Sequence, residues 1–273
     1  MPKLKSENTE VKKMKKIIAL MLTLVSVLTV FVGCGISNSS SDSDYQSIID
    51  KGELVIGITD YPPMDYKDDN GEWTGFDAEF ATKVAEKMGV KVKFIEIDWD
   101  NKFIELSSKS IDCIWNGMTI STEVKNNTNC SKPYAKNEQV VVMDSKKAEN
   151  YKDAKDLKDL TFAVESGSAG QSAAEKNGLN FTAVTAQSNA LMEVKSGSVD
   201  ACIIDSTMAS AMTGKGTSYE NLATSVILTS EEYGVGFRKG SDMTEKLNGY
   251  IDELTKDGTL KELSEKYSIQ LAE

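Results

Sequence analysis

The chain contains no histidine. That absence removes imidazole general bases, Ser-His catalytic arrangements and histidine metal ligands together. Arginine is nearly absent as well: of 31 basic residues, one is an arginine, Arg238. The formal charge of −11 leaves no excess of positive charge to bind a phosphate backbone, so nucleic acid is excluded as a partner. Long apolar runs are also missing. The longest, Ile17 to Val32, has 16 residues, and a spanning helix needs about 20. Cysteines number four, Cys34, Cys113, Cys130 and Cys202. What remains is ordinary globular material: 273 residues, 40% apolar, enough for one large domain or two small ones with a packed core.

The first 33 residues read as a targeting segment rather than as fold. Lys12, Lys13, Lys15 and Lys16 form a basic start, and the apolar stretch after them has the length of a signal-peptide core. It runs into Phe31-Val32-Gly33-Cys34, which resembles a bacterial lipobox, with small residues before a cysteine that becomes lipidated. Phe31 stands where leucine is usual. The alternative is a retained anchor helix, and both place the domain outside the cytoplasmic membrane. Met14 heads a more typical signal than Met1. With residues 1–33 removed, 25 basic and 40 acidic residues give a net −15, which reads as surface solubility. Gly35 to Asp44, rich in Ser, Asn and Asp, reads as a flexible tether. Cys113 and Cys202 lie in apolar runs and read as buried small hydrophobes. A Cys113–Cys130 disulfide is allowed by the compartment.

From Glu53 onward, strand and helix patterns alternate. Glu53 to Thr59 is a short apolar, β-branched run. Phe76, Phe80, Val84 and Met88 recur at helical spacing up to Gly89. Lys91 to Ile97 reads as the next strand, with further strand and helix segments at 103–115, 160–164, 188–196 and 199–204. Two amphipathic helices, Met243 to Asp257 and Thr259 to Tyr267, are split by Gly258. Such alternation predicts α/β architecture with parallel sheets covered by helices. Leu106-Ser-Ser-Lys-Ser-Ile-Asp112 before Cys113 is echoed by Val194-Lys-Ser-Gly-Ser-Val-Asp200 before Ala201. The repeat suggests two α/β lobes of similar build.

Ligands of open parallel sheets bind beyond the carboxyl ends of strands. The residues following the predicted strands are therefore the candidates: Asp60 and Tyr61, Trp99, Asn116 to Thr119, Glu165 to Ser168, and Asp205. Gly117 and Gly167 would let a ligand approach backbone N–H groups. Tyr61 and Trp99 would form flat walls suited to an apolar body or a cation. Asp205 would receive an ammonium group.

Gly57-Ile-Thr-Asp-Tyr-Pro-Pro63, Asp69-Asn-Gly71, Thr74-Gly-Phe-Asp77, Asn116-Gly-Met-Thr-Ile120, Ser131-Lys-Pro-Tyr134, Ile204-Asp205 and Tyr233-Gly-Val-Gly-Phe-Arg-Lys239 occur in this order. Together they resemble the polar amino-acid binding proteins of ABC importers, over roughly residues 45–270. The resemblance implies a type II periplasmic-binding-protein fold, two α/β lobes joined by a hinge and closing on an inter-lobe cleft. Lobe one would span 45–136 plus 229–273, and lobe two 137–228. It also implies the roles of the site residues. Tyr61 and Trp99 would be the aromatic walls, Asn116, Gly117 and Thr119 the carboxylate loop, Gly167 and Ser168 the second-lobe turn, and Asp205 the ammonium acceptor. Asp60 and Glu165 would face the far end of the ligand. The family's carboxylate-clamping arginine falls on Val124, and Arg238 lies elsewhere in the pattern. Loss of one partner of a buried charged pair costs about 2–5 kcal/mol. Either backbone groups or Lys125 compensate, or the ligand lacks that carboxylate. The acids favour a cationic ligand, a basic amino acid or an amine.

The expected function is thus a monomeric, lipid-anchored, extracytoplasmic solute-binding component, without cofactor or metal, that delivers its small-molecule ligand to an ABC permease. An enzyme on the same scaffold, of the cyclohexadienyl dehydratase kind, is the alternative, with Glu165 or Asp60 as general acid. A sensor module would be expected to continue beyond Glu273 into a spanning helix and a signalling domain.

Overall fold

The computed structural model describes residues 43–272. The signal segment 1–33, Cys34 and residues 35–42 of the tether lie outside the described residues. Ser43 and Asp44, the expected end of that tether, cap and open a helix, Asp44–Lys51: the Ser43 hydroxyl accepts from the Gln46 N–H. Among the described residues, no helix is long and apolar enough to cross a membrane.

The strands in chain order are β1 Glu53–Ile58, β2 Tyr66–Lys67, β3 Trp73–Thr74, β4 Lys91–Glu96, β5 Cys113–Ile114, β6 Asn129–Cys130, β7 Ala135–Asp144, β8 Thr161–Glu165, β9 Asn180–Val184, β10 Ala201–Asp205, β11 Leu222–Tyr233 and β12 Gly236–Phe237. They form two five-stranded sheets, ordered β4-β1-β5-β12-β6 and β11-β7-β10-β8-β9, plus the β2–β3 hairpin. Five consecutive residues of β1 are buried, as expected of a central strand covered on both faces. The helix Phe76–Met88 buries Phe76, Phe80, Val84 and Met88 and ends on Gly89, whose φ of 72° few other residues tolerate.

Neither sheet is wholly parallel, as the alternation alone had suggested. Pairings β4-β1-β5 and β10-β8-β9 are parallel. β12 runs antiparallel to β5 and β6, and β7 antiparallel to β10 and β11. The cause is the path of the chain. It leaves the first sheet after β6, enters the second as β7, and returns from β11 to β12, so the crossing segments meet their neighbours head to tail. The two long crossing strands pair from Tyr233↔Ala135 outward.

The sequence echo has a structural counterpart. Asp112 accepts a hydrogen bond from the Val55 N–H at 2.8 Å, and Asp200 accepts from the Thr161 N–H at 2.9 Å. Each aspartate ties the start of a central strand, β5 or β10, to the strand beside it. Cys113, Cys130 and Cys202 are free thiols. The Cys113–Cys130 pairing fails on geometry, because β12 lies between β5 and β6. Two strand spacings of about 4.8 Å exceed the roughly 7 Å that a disulfide can bridge. Arg238 pairs with Asp44 at 3.0 Å and donates to the Ile111 carbonyl at 2.8 Å, a structural brace in the first lobe.

Candidate functional site

The carboxyl ends of β1, β5, β8 and β10 and the loop after β4 converge on one cavity of about 180 Å³. Of the residues singled out from sequence, Tyr61, Trp99, Asn116, Gly117, Thr119, Glu165, Gly167, Ser168 and Asp205 all line it. Asp60 does not. Thr59 and Tyr61 are buried and the residue between them is exposed, because successive side chains of extended backbone point to opposite sides. Its carboxyl instead lies near Glu96 and Lys67. Lys125, the proposed substitute for the missing arginine, lines a groove elsewhere, whereas Val124 does face the cavity. The sequence reading missed Lys102, Glu123, Gln187 and Glu231, all of which line the cavity.

The two glycines serve contacts within the protein rather than an open approach to the backbone. A Cβ on Gly117 would sit 2.6 Å from Tyr61 Cε1, and its N–H already donates to Asp77 Oδ2 at 2.6 Å. A Cβ on Gly167 would meet Asp100 of the opposite lobe at 2.8 Å (Oδ1) and 3.0 Å (Cα). The lobes therefore touch here. Lys102 Nζ spans the same gap, donating to the Gly167 carbonyl at 2.8 Å and the Trp99 carbonyl at 3.1 Å. Tyr61 makes a further bridge, its hydroxyl bonding to that of Thr207 and, at 2.6 Å, to that of Tyr233.

Polar groups around the cavity are densely partnered. Asn116 accepts from the Thr59 N–H at 3.1 Å and donates to Asp65 Oδ2 at 2.7 Å, which fixes the loop carrying Gly117 and Thr119. Ser168 caps the helix Ala169–Lys176, accepting from the Gln171 N–H at 3.1 Å. Asp205, the last residue of β10, takes hydrogen bonds at Oδ1 from Asn137 (2.5 Å), Gln139 (2.6 Å) and Tyr233 (2.9 Å), and at Oδ2 from Gln187. Glu231 Oε1 accepts from Thr119 at 2.7 Å and from Asn137 and Gln139 at 2.8 Å each.

Four acids, Glu123, Glu165, Asp205 and Glu231, face two lysines, Lys102 and Lys176, around this space. Burial pushes the Glu165 carboxyl up to about 8, with the Asp205 charge adding and Lys102 opposing. Burial, then Glu231, pushes Asp205 up to about 7 against the donors that hold it. Burial lowers Lys102, while Glu123, Glu165 and Asp100 sustain its charge. Behind the loop, Asp77 is raised to about 7 by burial. The cavity thus offers aromatic walls, an acidic lining poised between protonation states, and one deeply buried ammonium. Such a lining suits a small polar or cationic solute.

Two α/β lobes that meet around a polar cavity at their strand ends define a two-lobed ligand-binding protein. The chain belongs to the bacterial extracellular solute-binding proteins, family 3, whose pattern it matches over residues 54–270. It is 29% identical over 247 residues to the L-cystine-binding protein TcyJ of Escherichia coli K12, covering 89% of this chain and 92% of that one. It is 32% identical over 257 residues to the arginine-binding extracellular protein ArtP of Bacillus subtilis, covering 91% and 96%. Among solved structures it is similar to an ancestral amino-acid-binding protein described as a precursor of cyclohexadienyl dehydratase. There the TM-score is 0.76 at 32% identity, covering 82% of this chain and 99% of that one.

Proposed function

We propose that this chain is the substrate-binding lipoprotein of an ABC importer, anchored through Cys34 on the outer face of the cytoplasmic membrane. It captures an amino acid or related cationic amine by closing its lobes and presents the closed form to the permease. The observation that carries the reading is the composition of the cavity: Tyr61, Trp99 and Thr119 from one lobe face Glu165, Ser168 and Asp205 from the other. A ligand contacting both sets favours the closed state by its differential affinity for it. No bond need be made or broken, and the protein is read as a binder rather than an enzyme.

Calorimetric titration of residues 43–273 with lysine, arginine, cystine and cadaverine tests the ligand class. Saturable one-to-one binding of at least one is expected, and heats no larger than dilution for all four would remove the class. Anchoring is tested by Cys34→Ser, which should move the protein from the membrane fraction to the medium or the soluble fraction.

One observation favours a second reading. The Glu165 carboxyl lines the cavity and burial pushes it up to about 8, the direction that favours the protonated form a general acid needs. Turnover of arogenate or prephenate would support a dehydratase. Recovery of unchanged compound would exclude it.

A further inference from the structure

The first lobe lacks an arginine at position 124, yet it sends another cation into the same cavity. Lys102 is 4% exposed and lines the cavity together with Val124 and Ser168. Its Nζ donates to the carbonyl of Gly167, the residue before Ser168. Glu123, the residue before Val124, heads the charges that sustain its ammonium form. It therefore shares the cavity with the helix Thr122–Asn127, which carries position 124, and is bonded to the second-lobe turn through the Gly167 carbonyl. The ammonium lies 4.9 Å from the Trp99 ring centroid and 4.8 Å from that of Phe103, and two backbone carbonyls, those of Trp99 and Gly167, hold it. An ammonium has three N–H donors, so a third remains for a ligand. Lys102 makes no ion pair within 4 Å among the described residues, although Glu165 and Asp100 are near enough to act on it.

From this geometry we infer that Lys102 is the ligand's carboxylate partner, doing from the helix Lys102–Ser107 what an arginine at position 124 would do from the helix Thr122–Asn127. The inference rests on the proposed function and sharpens it. The ligand is an amino acid that keeps its carboxylate, and decarboxylated amines are rejected. A point-charge ammonium also explains how a neutral Val124 is tolerated. Lysine needs no fork geometry, and a guanidinium beside it would repel it.

The test compares each amino acid with its decarboxylated twin, arginine with agmatine and lysine with cadaverine, by calorimetry on wild-type protein, Lys102→Met and Lys102→Arg. Wild type should prefer the amino acid of the twin pair it binds. Lys102→Met should weaken amino-acid binding by about 30-fold or more, the usual result of removing one partner of a buried charge pair. Amine binding should hold or tighten, because a positive charge has left an acidic pocket. Lys102→Arg should keep most of the preference. The readout is the amino-acid-to-amine ratio within one protein, so a general loss of folding or closure cancels from it. Equal losses for both twins, an unchanged ratio, or a wild type that binds amines as tightly as amino acids would overturn the inference and leave the binding function standing. A wild type that binds no member of either twin pair would overturn the inference, and would remove the ligand class as well only if cystine is not bound either.

Discussion

Gly167→Ala separates closure from folding. Gly167 has φ of +69°, where an L-residue costs about 1–2 kcal/mol. That strain is local and falls on open and closed forms alike. The second cost falls on the closed form only. The new Cβ would lie 2.8 Å from Asp100 Oδ1 and 3.0 Å from Asp100 Cα, both across the cleft. A side-chain oxygen can turn away, but a Cα moves only with its backbone, so the lobes must stop short of full contact. Overpacking of this kind costs about 1–3 kcal/mol, which converts to a roughly 5- to 150-fold loss of affinity. Separation of the lobes also lengthens the bond from Lys102 to the Gly167 carbonyl. The assay pairs calorimetric titration with thermal unfolding of the ligand-free protein. The free protein should melt lower by about 2–8 °C, from the local strain alone. Affinity within twofold of wild type would refute the argument, because it would mean that the ligand-bound state does not bring Asp100 against Gly167.

Other perturbations read other parts of the site. Glu165 is raised to about 8, so a cationic ligand must displace its proton at neutral pH; affinity should rise with pH up to about 8, by at most about tenfold per unit. Glu165→Gln should flatten that profile in titrations across this range, and a profile of unchanged slope would exclude Glu165 as the linked group. Asp205 accepts from four side chains, so Asp205→Asn should destabilise the ligand-free fold by about 1–3 kcal/mol as well as weaken binding, measured by denaturant unfolding. The three thiols of residues 43–273 are unpaired. All three should react with a thiol reagent in denaturant without prior reduction, and dithiothreitol should leave the melting temperature unchanged.

Much of this was legible in the sequence, for identifiable reasons. Buried strands announce themselves by apolar, β-branched runs. Helices such as Phe76–Met88 and Met243–Lys256 announce themselves by spacing, the first also by the glycines at its two ends. Strand ends then name the site, because a parallel sheet gathers its carboxyl ends on one edge. The less legible features are those created by bringing distant segments together. β7 carries Lys136, Asn137 and Glu138 at one end and valines further on, so no single periodicity marks it as a crossing strand. Glu231 lies on the partner strand, and its place in the cavity depends on the pairing Glu231↔Asn137. Lys102 reads as an exposed helix residue until the second lobe covers it. Gly117 and Gly167 look like invitations to a ligand, and it takes the packed Tyr61 ring and the opposing Asp100 backbone to show that they admit protein atoms. Asp60 is adjacent to Tyr61 in sequence, and for that reason its side chain leaves on the other face, outside the cavity lining.

Ligand-driven closure over this cavity is the central claim, and small-angle X-ray scattering of residues 43–273 measures it directly. Profiles are recorded without ligand and with a saturating amino acid chosen from the titration panel. The account predicts a smaller radius of gyration on saturation, with the saturated profile matching the closed arrangement in which Lys102 reaches Gly167. Superimposable profiles at a concentration where calorimetry shows full occupancy would contradict it.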